Sequence, residues 1–281
     1  GGEGLMPYYL SKNRDEDAAM QKKVLSELAR YVRGIDAWRH PITVHPTSVG
    51  RDQVEDPSLV DFDMLQTGHG GVNSVANTLA KIREAVAREP RMPALVGEVN
   101  YEGILEGSRQ EIQRRCFWLC VLSGAAGHTY GANGIWQLNR PERPFGPSPH
   151  GTSWGDTPWQ EASRLPGSAD VALGQRLLER FQWWRFEPHP EWMEPHATEK
   201  DPFQPVCAGI SGRVRVAYLP TFWTPPVVKA LEAGAAYRAT YINPSTGVET
   251  VLGTAAANEK GEWPCPRGPI FRDWVLVLER V

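Results

Sequence analysis

Pro93-Ala94-Leu95-Val96-Gly97-Glu98-Val99-Asn100-Tyr101-Glu102-Gly103 decides the fold. A short apolar run, Ala94 to Val96, reads as a buried strand. It ends on a carboxylate, Glu98, and passes into a loop of polar, aromatic and Gly residues. Upstream, residues 74–89 carry Val75, Leu79, Ile82 and Val86 at helical spacing, and Phe62 to Gln66 reads as another strand that closes in Thr67-Gly68-His69-Gly70-Gly71. Strands alternating with helices imply parallel βα units. In a barrel of such units, the C-terminal strand ends carry the active site.

Working outward, the same alternation covers the first two thirds of the chain. Residues 15–33 predict a helix with Val24, Leu25, Leu28 and Tyr31/Val32 as its apolar positions, stopped at Gly34. Pro41-Ile42-Thr43-Val44 predicts a buried strand ending at His45-Pro46. Helices are expected at 107–122 and 168–181, and a small-residue strand at 125–130. A Pro- and Trp-rich loop spans 136–158. An eight-fold barrel needs about 250 residues, and only about 185 precede a change of pattern. The chain opens at Gly1-Gly2-Glu3, without Met or a charged-then-apolar leader. The expectation is an α/β fold comprising the C-terminal part of a (β/α)8 TIM barrel in an N-terminally truncated chain.

Beyond residue 200 the period changes to two. Arg213 to Leu219 and Tyr237 to Ile242 alternate, Trp274 to Leu278 is a terminal strand, and Asn243-Pro244-Ser245-Thr246-Gly247 is a turn. Short strands without helices predict a small all-β sandwich. The Pro-rich stretch 188–205 marks the junction. The expected division is 1–190 for the partial catalytic barrel, 191–205 for a linker and 206–281 for the β-domain.

Composition narrows the function. Of 281 residues, 22% are charged, and the net charge is −3 without a basic block, so nucleic acid is not an expected partner. No apolar run is long enough to span a bilayer, so no membrane partner is expected either. The 11 Trp are mostly core candidates, with some free to stack on sugar rings. Cys116 and Cys120 share a helical face and suit packing. Cys207 and Cys265 are open to pairing or to burial as free thiols. The redox compartment is therefore not fixed, and a secreted or periplasmic setting is compatible with the chain.

Two glutamates end apolar runs ahead of Tyr-containing loops: Glu3, before Tyr8-Tyr9, and Glu98, before Tyr101. Such a pair can cleave a glycosidic bond, one as proton donor and the other as nucleophile or general base. Glu102 is the fallback for Glu98. His45, His69 and His128 each fall at or just past a predicted strand end. They are candidates to line the same pocket, with Gln66, Tyr101, Tyr130 and a stacking platform at Trp136. Three histidines can also hold a catalytic metal, so a metal-dependent hydrolase is one rival reading, although no H-x-H or H-E-x-x-H spacing supports it. A catalytically dead carbohydrate-binding protein is another.

These residues carry a resemblance. Gly2-Glu3, Pro7-Tyr8-Tyr9, His40-Pro41-Ile42-Thr43-Val44-His45-Pro46, Gln66-Thr67-Gly68-His69 and Gly97-Glu98 resemble the apiosidase-like glycoside hydrolases. So do the block Gly124-Ala125-Ala126-Gly127-His128-Thr129-Tyr130-Gly131 with Trp136, and Leu165-Pro166-Gly167-Ser168 with Trp183-Trp184. The resemblance implies a barrel whose acid/base follows the fourth strand, at Glu3, and whose nucleophile follows the seventh, at Glu98. It implies a carbohydrate substrate and no cofactor. The 95-position separation of the two glutamates fits three intervening βα units. The characterised pattern has Asp at the first site where this chain has Glu3, which leaves apiose specificity open. Residues 206–280 resemble the β-domain that follows this barrel in relatives. That domain is sometimes labelled collagen-binding, a label that does not by itself establish a collagen partner.

Overall fold

The structure is a computed structural model that describes residues 15–144 and 154–281. The chain divides into two compact units. One holds the described residues up to Ser108 with those of Ala125–Leu165, and the other holds Arg109–Gly124 with Pro166–Val281. This division follows packing rather than the chain order expected from the change of period.

The first unit is built on a three-stranded parallel sheet, order β1-β2-β3, from β1 (Asp63–Gln66), β2 (Ala94–Glu98) and β3 (Gly127–His128). Leu65, Ala94 and Val96 are buried, as the apolar runs require. Helix α1 (Asp15–Ile35) and helix α2 (Val75–Ala87) form where helical spacing predicts them, and α2 buries Val75, Leu79 and Ile82. The described residues form no closed barrel. The outer edge of β1 is met by an antiparallel bridge from Val49 to Leu65, and Ser48 O accepts from Gln66 N at 2.9 Å.

The expected strand at 41–44 does not form. Pro41 and Pro46 lack the N–H a ladder needs. The segment is tied down otherwise: Ile42 N donates to the Asp61 carboxylate (2.6 Å), and Thr43 Oγ1 donates to Phe62 O (2.7 Å). The strand expected at 125–130 shortens to two residues. Helix α1 is also rotated from expectation. Leu25 packs against the small core of Val44, Val54 and Val60, and Ser26 is fully buried, bonding Lys22 O and Glu55 N. Val24, Leu28 and Tyr31 are instead exposed, and with Met20 and Ile35 they form an apolar stripe.

A short helix, α4 (Trp159–Ala162), completes the first unit. The second begins with helix α3 (Gln110–Leu122), buried at every position from Ile112 to Leu122, and helix α5 (Gly167–Leu178). Its strands are β4 (Glu187–Pro188), β5 (Met193–Glu194), β6 (Val206–Ile210), β7 (Val214–Leu219), β8 (Val227–Val228), β9 (Ala236–Ile242), β10 (Glu249–Ala256), β11 (Trp263–Pro264) and β12 (Trp274–Arg280). They make a six-stranded antiparallel sheet, β10-β9-β12-β7-β6-β4, and a three-stranded antiparallel sheet, β11-β8-β5. Side chains from both sheets share one core, including Met193, Val228, Leu219, Tyr237 and Leu276. Residues 191–205, expected as a linker, therefore supply strand β5 and core residues Trp192 and Met193. All four cysteines are buried and none forms a disulfide among the described residues; Cys207 and Cys265 lie in that core.

Arg114 on α3 is buried between two carboxylates, Asp273 (2.9 Å) and Asp170 (2.8 Å), and Tyr218 Oη donates to Asp273 at 2.7 Å. Burial alone would raise the Asp273 pKa, but the bonds and charge of Arg114 and the Tyr218 bond hold it below the usual range. Among the described residues, no helix is long and apolar enough to cross a membrane.

Candidate active site

Strand β2 delivers Glu98 to the carboxyl end of the parallel sheet, where it is 7% exposed. Two histidines from two different loops meet its two oxygens. His69 Nε2 lies 2.6 Å from Oε1, and His45 Nε2 lies 2.8 Å from Oε2. Gln66 at the end of β1 donates from Nε2 to Oε1 at 3.1 Å. Burial by itself would raise the Glu98 pKa, but the hydrogen bonds and charge of His45 and His69 outweigh it and take the group down to about 2. The carboxylate is thus ionised across the working range of almost any enzyme.

The loops that carry these histidines are fixed by hydrogen bonds. Buried Asn100, two residues past Glu98, clamps Gly71: its Oδ1 accepts from Gly71 N (2.8 Å) and its Nδ2 donates to Gly71 O (3.0 Å). Ser74 Oγ accepts from Gly70 N (2.8 Å), and Asn77 Nδ2 donates to Thr67 O (2.9 Å). His69 is therefore held between two fixed points. Gly97 lets β2 pass Met64, since a Cβ there would lie 2.6 Å from the Met64 side chain. Thr129 Oγ1 donates to Gly97 O at 2.6 Å and ties the end of β3 to β2.

An aromatic wall stands beside His69. Its ring lies 4.5 Å from that of Tyr101 and 6.5 Å, edge-on, from that of Trp154. Tyr101 presses on Gly131, where an added Cβ would lie 2.2 Å from the ring. Trp154 is anchored through its carbonyl, which accepts from Leu105 N (3.1 Å) and Asn133 Nδ2 (2.7 Å). The intervening loop holds Leu105, Glu106 and Ser108 at positive φ (53°, 58° and 53°), a strained conformation of the kind that clusters at functional sites.

The structure thus gathers Glu98, His45, Gln66, His69 and Tyr101. Tyr130 belongs to a neighbouring pair: its hydroxyl donates to Glu102 Oε2 at 2.6 Å, and burial together with that carboxylate raises its pKa. Glu102 itself is buried, and its backbone bridges to Ala132. His128 sits on β3 opposite Val96, where burial lowers its pKa to about 4. Trp136 is 48% exposed. Glu3 lies outside the described residues. Sequence reasoning missed Asn100 and Trp154. Asn100 was within reach, because a polar residue two places past a strand-end carboxylate is positioned to brace the next loop. Trp154 carried no signal beyond its Pro-rich loop. Among the described residues, no group of three or more His, Cys, Asp or Glu is placed to hold a metal ion.

Glu98 stands at the carboxyl end of a parallel strand, the end at which α/β barrels build their active sites. Solved structures agree on the fold. A protein described as a glycoside hydrolase superposes with a TM-score of 0.73 at 21% identity, covering 90% of this chain and 60% of its own. A glycoside hydrolase family 5 protein from Bacteroides vulgatus ATCC 8482 gives the same score and identity, with 90% and 58% covered. The chain thus spans about 60% of the length of the solved structures it matches. No curated protein matches it. The family is defined by sequence: the apiosidase-like catalytic domain matches residues 6–185, and the chain belongs to the apiosidase-like family.

Proposed function

We propose that this protein is a glycoside hydrolase acting on a plant-type or other complex polysaccharide by a retaining mechanism, with Glu98 as nucleophile and Glu3 as acid/base. The observation that carries this reading is the state of Glu98: buried, ionised and engaged at both oxygens by His69 and His45. An ionised carboxylate can attack an anomeric carbon. In the first step an Oε of Glu98 forms a bond to that carbon as the glycosidic C–O bond breaks, and the Glu3 carboxyl gives its proton to the leaving oxygen. In the second, the Glu3 carboxylate takes a proton from water, whose oxygen displaces Glu98 and restores both groups. His69 and His45 fix the attacking oxygens, and Gln66 and Tyr101 complete the wall of the subsite, with His128, Tyr130 and Trp136 as further sugar contacts. The role of Glu3 rests on the family pattern. Two shared features support reading the parallel sheet as a sector of a (β/α)8 barrel: the strand order and the glycoside hydrolase fold of the solved structures. The shared core of the two antiparallel sheets supports a sandwich for the β-domain.

The test is turnover of a panel of aryl glycosides by the wild-type protein and by Glu98→Gln, with circular dichroism as the check on folding. Glu98→Gln keeps the shape and removes the charge, so turnover should fall by about a thousandfold or more with the fold unchanged. A variant that retained more than a few per cent of the rate would refute the assignment.

A further inference from the structure

The second unit carries a cavity that the reading of Glu98 does not use. It has a volume of about 440 Å³ and is lined by Phe222, Trp223, Phe271 and Trp274 with Arg267 and Arg272. Trp223 is 82% exposed and Phe271 60% exposed, with ring centroids 4.5 Å apart. These two large aromatics form a patch that offers exposed flat rings to a ligand in the cavity.

The patch is built on a fixed base. Trp274 is buried, and its Nε1 donates to Ile270 O at 3.3 Å. Tyr241 Oη donates to Pro266 O at 2.8 Å. The backbone at Gly268 lies so close over the Trp274 ring that a Cβ there would come within 2.3 Å of Nε1. The loop that presents Phe271 is therefore held at both ends. Charge is one-sided. Arg272 is held by Ser245 Oγ (2.9 Å) and lies beside Asp273, whereas Arg267 is exposed with no hydrogen bond or ion pair among the described residues. Among the described residues, no carboxylate lines the cavity.

We propose that this cavity is a second carbohydrate-binding site, and that its ligand is a glycan chain bearing uronate carboxylates. The Trp223 and Phe271 faces stack on the apolar faces of sugar rings, and the volume lies within the range of small-ligand sites. The planar guanidinium of Arg267 meets a ring carboxylate with two parallel hydrogen bonds. The proposal rests on the protein being carbohydrate-active, and it makes the second unit an anchor on an acidic polysaccharide.

Native gel electrophoresis in polygalacturonate tests it. The wild-type protein should be retarded relative to a gel without polymer. Trp223→Ala and Arg267→Gln should each weaken that binding by about fivefold or more, with unchanged circular dichroism, because both side chains are exposed. Glu98→Gln should be retarded like the wild type, so binding is read independently of hydrolysis, and failure of the nucleophile assignment would leave this result intact. No retardation of the wild type, or Trp223→Ala retarded equally, overturns the site. Equal retardation by polyglutamate, a polyanion without sugar rings, overturns the carbohydrate assignment. Equal retardation by neutral galactomannan with no effect of Arg267→Gln overturns the uronate assignment. So does saturable binding of a triple-helical collagen peptide through Trp223 without retention by polygalacturonate.

Discussion

At the scale of single residues, the proposed chemistry rests on one carboxylate whose environment outweighs its burial. A buried glutamate ordinarily holds its proton, but Glu98 loses it because His69 and His45 stabilise the charged form. A carboxylate whose pKa is lowered on folding stabilises the protein above its unfolded pKa, and that contribution is lost as pH falls through the folded value. Between pH about 4.5 and about 2 the wild type should therefore lose thermal stability more steeply than Glu98→Gln, in melts recorded across that range. His69→Ala removes one donor and lets burial act. The Glu98 pKa should rise, and the acid limb of the kcat/KM profile should move to higher pH. A limb that stays in place would mean that Glu98 does not govern it. The sequence announced Glu98 because an apolar run ended on it. It also announced His45, His69 and Gln66 by their place at strand ends. It could not announce how these side chains would meet, since strand-end position fixes the end of the sheet a residue belongs to but not where its side chain points.

At the scale of elements, the site depends on loops braced by side chains rather than by ladders. Asn100 bonds both polar groups of Gly71, which is half-buried, so Asn100→Ala costs about 0.5–1.5 kcal/mol for each hydrogen bond lost. It should lower kcat more than it lowers the melting temperature, because the 68–71 loop carries His69 and not the core. Gly131→Ala acts from the opposite side, driving a methyl group into the Tyr101 ring that packs on His69, and should impair turnover without unfolding the protein. Helical periodicity correctly marked α1, α2, α3 and α5, but two features escaped it. The run at 41–44 has strand composition yet is flanked by Pro41 and Pro46, and its hydrogen bonds go to Asp61 and Phe62. Strands β6 and β10 were not marked, because β6 is buried on both faces and β10 is an edge strand with little alternation of burial.

At the scale of the whole molecule, the second unit is tied together by buried charge, where Arg114 of α3 meets Asp170 of α5 and Asp273, which immediately precedes β12. Arg114→Met would leave Asp273 and Asp170 facing each other without their cation. It should cost about 3–5 kcal/mol, read as a large fall in melting temperature. The change in hydrophobic period near residue 200 was legible, but the membership of α3 in that unit was not, because its partner Asp273 is 159 positions away. The first unit leaves Met20, Val24, Leu28, Tyr31 and Ile35 exposed along α1. That stripe should drive concentration-dependent association in sedimentation experiments, and Leu28→Lys should reduce it. The central claim, that Glu98 forms the covalent bond to the sugar, is tested most directly by trapping. The protein would be incubated with a panel of 2-deoxy-2-fluoroglycosyl fluorides, whose second step is slow, and mapped by peptide mass spectrometry. The account predicts one added glycosyl mass, on Glu98, and its absence in Glu98→Gln. Turnover of the matching glycosides with no adduct, or an adduct on another residue, would contradict it.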